Sequence, residues 1–225
     1  MTGLVRKATL LTGCGVLLAG AALAAVPNRA NSNFPGQPGA AGIYLIQHNA
    51  VNVPQEDVTG EFSVTVRDIS NAPISGATVT VNFSGCTTDI RLCQTQTFTG
   101  VSVDCPTKVV SKTTSGLGVA TFRITGGAAN AGNSAGAGVG CAEIRANGVF
   151  LNNVTVAAFD QGGGLNGVTG GDLSLWLSDF FALPKPYYGR SDYNFGGVVD
   201  GGDLSIWLSD FFSNRSLTGC TTACP

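Results

Sequence analysis

Between Ile43 and Phe159, apolar and polar residues alternate in short runs, the period-2 pattern of strands that bury one face. Phe62, Val64 and Val66 share one face of a run, and Ala77, Val79, Val81 and Phe83 share one face of the next. Between them, residues 71–76 (NAPISG) contain the Pro and Gly that reverse a chain. Further runs follow at 108–113, 118–125, 142–147 and 152–158. Together they predict a mainly β fold, an immunoglobulin-like two-sheet β-sandwich of about seven strands over 43–159, with no helical signal inside it.

Past residue 160 the period changes. GGDLSLWLSDFF at 170–181 returns as GGDLSIWLSDFF at 201–212, and the two copies hold both tryptophans of the chain. In the second copy Leu204, Trp207, Leu208, Phe211 and Phe212 fall at i, i+3, i+4, i+7 and i+8, one apolar stripe of a helix. Leu173, Trp176, Leu177, Phe180 and Phe181 repeat it in the first. Each helix is too short to be stable alone, so the two are expected to bury their stripes against each other, with the aromatic residues as core.

Composition adds a compartment. Only 12% of the 225 residues are charged and the net charge is -2, which leaves no basic surface for nucleic acid. Residues 1–25 carry Arg6 and Lys7, then an apolar run ending Ala22-Leu23-Ala24-Ala25, the form of a secretory signal peptide cleaved near Ala24 or Ala25. The run is too short to span a membrane, so no transmembrane segment is expected in the mature protein. Leu11-Thr12-Gly13-Cys14 has the form of a lipoprotein box, with lipidation at Cys14 as the minor alternative. Residues 26–42 read as a linker and 214–225 as a tail. Export puts the chain outside the cell or on its surface, where the six cysteines beyond Cys14 pair as disulfides. Among the pairings open to six cysteines, Cys220–Cys224, Cys93–Cys105 and Cys86–Cys141 are the expected ones.

Catalytic patterns are missing. The single His48 has no nucleophile motif beside it, the small-residue stretch at 126–140 lacks the Lys and Ser/Thr of a phosphate loop, and the acids of the sandwich are scattered. A non-enzyme is expected. The candidate chemistry lies before the second helix. Residues 192–203 (DYNFGGVVDGGD) place oxygen-bearing side chains at positions 1, 3, 9 and 12 of a twelve-residue frame with Gly at 6, as an EF-hand calcium loop does. Position 8 is Val199, and Asp203 sits where a carboxylate also suits a helix N-terminus.

VTVRDISNAPISGATVTVNF at 64–83 and TTSGLGVATFRI at 113–124 resemble a bacterial Ig-like domain of the invasin/intimin sort. The loop-plus-helix pair over 160–212, with Asp at position 12, resembles a degenerate type I dockerin. That resemblance implies Ca2+-dependent folding and docking onto a cohesin-like or other extracellular protein. It carries the calcium ligands of the second loop to Asp192, Asn194, Asp200, Asp203 and the Val198 carbonyl. Position 5, usually Asp in the family, is Gly196 here. The first loop departs further: counting back from Asp172 puts Gln161 at position 1, and only a bulge would gather Asp160, Asn166 and Asp172 around an ion. Gly170-Gly171 and Gly201-Gly202 leave the partner-selecting positions without side chains.

The leading expectation is therefore a secreted, non-catalytic binding protein tethered through its C-terminal module in a calcium-dependent way. The runner-up is a self-contained adhesin or structural protein whose repeat pair is a cap docked on the sandwich. A carbohydrate-active accessory protein comes third.

Overall fold

The computed structural model describes residues 25–35, 42–46, 60–86, 90–128, 138–162, 165–182, 188–214, 220 and 222–224. The targeting segment up to residue 24, residues 36–41 of the linker, His48 and the 129–137 part of the small-residue stretch lie outside the described residues.

Among the described residues ten strands precede two helices. The strands are β1 (Gly42–Ile46), β2 (Phe62–Thr65), β3 (Thr78–Asn82), β4 (Ile90–Leu92), β5 (Ser102–Asp104), β6 (Val109–Thr113), β7 (Val119–Phe122), β8 (Ile124–Ala128), β9 (Ala142–Ala146) and β10 (Val149–Ala158). The helices are α1 (Gly170–Phe181) and α2 (Gly201–Asn214). Eight strands form one curled sheet in the order β4-β8-β1-β10-β9-β3-β6-β5, and β2 and β7 form a separate antiparallel pair. β1 runs parallel to both β10 and β8, and the β10–β9, β9–β3, β3–β6, β6–β5 and β4–β8 pairs are antiparallel.

The alternation in the sequence explains the core. Val79 and Val81 of β3, Val110 of β6, Ile144 of β9 and Val154 and Val156 of β10 face Val64, Ala120 and Phe122 of the two-stranded pair, all essentially fully buried. The β9–β10 hairpin turns on Asn147 and Gly148, both at positive φ (44° and 80°), the backbone a two-residue Asn-Gly turn requires. Asn147 also ties the hairpin to β3, its Oδ1 accepting from Thr78 N at 2.8 Å. A bulge between Phe150 and Asn152 reverses the parity of β10, so that Leu151 points inward along with Val154 and Val156.

Three disulfides brace the chain: Cys86–Cys141, Cys93–Cys220 and Cys105–Cys224. The first is the expected pair. The expected Cys93–Cys105 and Cys220–Cys224 bridges are replaced, because the tail crosses back to the sheet. Gln94 N donates to Thr222 O at 2.9 Å and Cys224 N to Leu92 O at 2.8 Å, so the tail lies against β4. Cys224 is also bonded to Cys105, the residue after β5. β4 and β5 are the two ends of the strand order, and the tail spans them. Three disulfides suit an oxidising compartment. Among the described residues no helix is long and apolar enough to cross a membrane.

The helices differ from the stripe expected of them. Their deepest residues are Asp172, Trp176 and Asp179 in α1 and Asp203, Trp207 and Asp210 in α2, at 0–3% exposure. The leucines of the stripe are half-buried, and Phe181 and Phe212 are exposed. The inward face is rotated away from the apolar stripe because Trp176, Trp207, Asp172 and Asp203 hydrogen-bond the backbone of the two loops.

Candidate metal centre

The first loop leaves β10 without a break. Asp160 O accepts from Ala128 N of β8 at 2.7 Å, which continues the sheet into the loop. Thr169 then caps α1: its Oγ1 accepts from Gly171 N at 3.2 Å while Asp172 Oδ2 accepts from Thr169 N at 2.6 Å, a capping box. In the second loop Gly202 N donates to Asp200 Oδ1 at 2.7 Å and Asp200 N to Asp203 Oδ2 at 2.8 Å, the same arrangement with an Asp in place of Thr.

Matching hydrogen bonds fix the register between the loops. Asp203 Oδ1 accepts from Asn194 N at 2.9 Å, and Asp172 Oδ1 accepts from Gly162 N at 2.7 Å and Gln161 N at 2.7 Å. Gly197 N donates to Asp192 Oδ2 at 2.8 Å, and Gly167 N to Asp160 Oδ2 at 2.8 Å. Leu165 and Phe195, each two residues before those glycines, both have positive φ (48° and 53°). Asp160 therefore occupies the place of Asp192, and Gln161 does not stand at position 1 but opposite Tyr193. From its opening Asp160 to its closing Asp172 the first loop is one residue longer than the second from Asp192 to Asp203.

The donor sets differ. Both Asp192 oxygens accept backbone amides, Oδ1 from Gly196 N at 2.9 Å and Oδ2 from Gly197 N, and Asn194 Oδ1 accepts from Gly196 N at 2.6 Å. Val198 and Asn194 are exposed. In the first loop Asp160 Oδ1 is buried and makes no hydrogen bond within the described residues. A Cβ placed on Gly162 would lie 3.3 Å from Asp172 Oδ1 and 3.9 Å from Asn166 Oδ1, so both oxygens face the small space that this glycine leaves open.

Burial, and then the charge of Asp172, pushes Asp160 up to about 7. Burial also raises Asp203, with Asp192 and Asp200 adding repulsion. Tyr44 of β1 is pushed to about 12 by burial and by Asp192 and Asp203, which places the second loop directly beside the sheet. Among the described residues no Lys or Arg forms an ion pair with Asp160, Asp172 or Asp203. No ready-made cluster of three or more His, Cys, Asp or Glu side chains is assembled there either. Oxygen-only donors fit a hard cation such as Ca2+ better than a thiolate- or imidazole-seeking metal.

Several residues that hold the loops carried no signal in the calcium frame. Trp176 Nε1 donates to Ser191 O, at the entry of the second loop, at 3.2 Å, and Trp207 Nε1 donates to Phe159 O, at the entry of the first, at 3.3 Å. Gln161 Nε2 donates to Tyr193 OH at 2.7 Å and Ser191 Oγ at 2.9 Å, and Tyr193 OH donates to Ala158 O at 3.1 Å. Arg190 and Asp179 form a buried bidentate pair (2.9 and 2.7 Å), with Ser191 Oγ donating to the same carboxylate. Repetition of Asp179 as Asp210 within the twelve-residue copies was the available sign that this position matters.

No family model matches the chain, and no curated protein or solved structure is similar to it.

Proposed function

We infer that this is an exported, non-catalytic scaffold protein in which an immunoglobulin-like sandwich is capped by a calcium-stabilised, EF-hand-like loop–helix pair. The observation that carries the reading is the core the two parts share. Tyr44 of β1 stacks on Phe159 (5.5 Å between ring centroids), which stacks on Tyr193 (4.8 Å), and Trp176 and Trp207 join the same buried cluster. Tyr44 OH donates to Tyr193 O, and a Cβ on Gly42 would fall inside the Phe195 ring. Such burial suits a cap better than a tether that swings on a linker. The sandwich reading is supported by the β2–β7 pair lying over the larger sheet and by the parallel β1–β10 pairing. The calcium reading is supported by Asp160 Oδ1 and the carboxylates around it, since buried charge needs compensation.

Thermal unfolding in calcium and in EGTA tests both halves. A single cooperative transition is expected, moved upward by calcium by about 2.7 kcal/mol at a hundredfold excess over Kd. A helix-pair transition separate from the β transition would overturn the cap, and identical melts in both buffers would overturn the calcium. One observation favours the tethering reading: Phe181 and Phe212, at equivalent places in the two copies, are 68% and 63% exposed. Calcium-dependent capture of an extracellular partner, lost in a Phe181→Ser/Phe212→Ser variant, would establish it.

A further inference from the structure

One end of the β unit lies remote from the helix pair. β10 starts there, at Val149, and leaves at the other end into the first loop. The β9–β10 turn is tied there to Thr78 through Asn147, and Thr114, at the start of the β6–β7 turn, is tied to Ala77. Val66 N donates to Gly118 O at 2.7 Å and Asn28 N to Arg67 O at 2.7 Å, so the β2–β3 turn and the segment around Asn28 share that end. Arg29 closes the group, its guanidinium 5.6 Å from the centroid of the Phe150 ring.

Among the described residues eight large apolar side chains are exposed, and they divide by end. Val139, Phe181, Val198 and Phe212 belong to the helix-pair end, and Val26, Ile69, Leu117 and Phe150 to the remote end. Isolated exposed aliphatics are ordinary on a protein surface. Ile69 and Leu117 differ in being the two most exposed of the eight, at 81% and 76%, each on a turn pinned by hydrogen bonds. Asp68 Oδ1 accepts from Ser70 N at 2.8 Å and Ala72 N at 2.9 Å, and Asn31 Nδ2 donates to Ile69 O at 3.1 Å. Around Leu117, Gly118 N donates to Ser115 O at 2.9 Å and Ser115 N to Val119 O at 2.8 Å.

Charge divides the same way. At the remote end Arg29, Arg67 and Arg145 stand against Asp68 and Glu143, and Glu143 is taken up in a bidentate pair with Arg145 (2.5 and 3.1 Å). The described residues from 160 onward carry seven carboxylate side chains and one arginine. We propose that the remote end is a membrane-docking surface: Ile69 and Leu117 enter the acyl boundary of an anionic lipid bilayer while Arg29 and Arg67 meet its headgroup phosphates. Shape favours lipid over a protein partner. The apolar residues stand on separate turn tips with guanidinium groups among them, whereas a protein interface is built on a continuous, closely packed apolar core. The same phosphates repel the acidic helix pair, which is held away from the bilayer with Phe181 and Phe212 facing outward.

The test is flotation of the exported chain with vesicles of phosphatidylcholine, alone or mixed with phosphatidylglycerol. Binding to the mixed vesicles is expected, weaker on phosphatidylcholine alone and falling as salt is raised. An Ile69→Ser/Leu117→Ser variant should bind on the order of tenfold less, with the natural melting temperature, and a Phe181→Ser/Phe212→Ser variant should bind as the natural chain does. Failure of the natural chain to float overturns the proposal, as does an equal loss in the two variants. Retention of the natural chain, but not of Ile69→Ser/Leu117→Ser, on lipid-free envelope protein would assign this end to a protein partner and overturn it as well. Should the first variant fail to fold, hydrogen exchange of the natural chain decides. Mixed vesicles should slow the amides of 67–72 and 115–119 and leave those of α1 and α2 unchanged; slowing confined to the helices, or none at all, overturns the docking.

Discussion

Replacing Asp160 by Asn isolates the charge that the first loop buries. Asp160 is 2% exposed; its Oδ2 accepts from Gly167 N at 2.8 Å and its Oδ1 has no hydrogen-bond partner among the described residues. An Asn keeps the acceptor for Gly167 and removes the charge. Burial raises the carboxyl from 3.8 to about 7 in the folded chain. An acid whose folded value is raised binds its proton more tightly when folded, so its stabilising contribution is complete below about pH 4 and is lost as pH rises through about 7. That gap corresponds to at most about 4 kcal/mol, and water penetration reduces it to about 2. Asp203 is raised in the same direction and adds to the slope in the natural chain. In EGTA, Asp160→Asn should therefore match the natural chain near pH 4 and exceed it by about 2–4 kcal/mol at pH 8. Calcium should reverse the order, because a cation offsets the charge in the natural chain and finds a weaker ligand in the variant. Urea unfolding followed by tryptophan emission, at both pH values with and without calcium, reads all four states. A variant no more stable than the natural chain at pH 8 in EGTA would refute the claim that burial penalises the Asp160 charge.

Three further outcomes follow from the packing. Asp179→Ala leaves Arg190 buried and should cost about 3–5 kcal/mol, whereas Asp179→Leu/Arg190→Met should recover most of it; a double-mutant cycle by denaturation measures the difference. Trp176→Phe and Trp207→Phe each orphan a loop-entry carbonyl, Ser191 O or Phe159 O, and should each cost about 1–3 kcal/mol; a much smaller loss from either would break the equivalence of the repeats. Gly42→Val drives a side chain into the Phe195 ring and should destabilise by about 1–3 kcal/mol while lowering calcium affinity, measured by calorimetry, if β1 and the second loop form one unit.

What could be read from the sequence was whatever depends on neighbours in the chain. Val64, Val79, Val81 and Phe83 are buried as their alternation requires, and both helices lie where the copied segments predicted them. β4 and β5 were missed because three residues each are too few for a period to register. The disulfide exchange between expected and observed partners has the same origin: Cys220 and Cys224 are close in sequence, but the curl of the sheet and the path of the tail decide their partners. In the first loop, counting residues back from Asp172 failed because equivalence is set by which amide meets which carboxylate. Asp160 takes the amide of Gly167 as Asp192 takes that of Gly197, although the intervening segments differ in length.

The duplicated segment makes sense as a reciprocal device. Each helix seals the loop of the other copy, Trp207 closing the first loop and Trp176 the second, so one repeat alone would leave its loop-entry carbonyl open. What differs is how the two loops are anchored. The first is an extension of β10, with Asp160 O held by Ala128 N in the sheet. The second follows the short 3-10 turn Gly189–Ser191, and the buried Arg190–Asp179 pair with Ser191 holds its entry. An ion pair in one copy thus does the work of a sheet edge in the other. A loop pinned by a sheet loses less entropy on closing around a cation, which offsets its poorer set of side-chain oxygens.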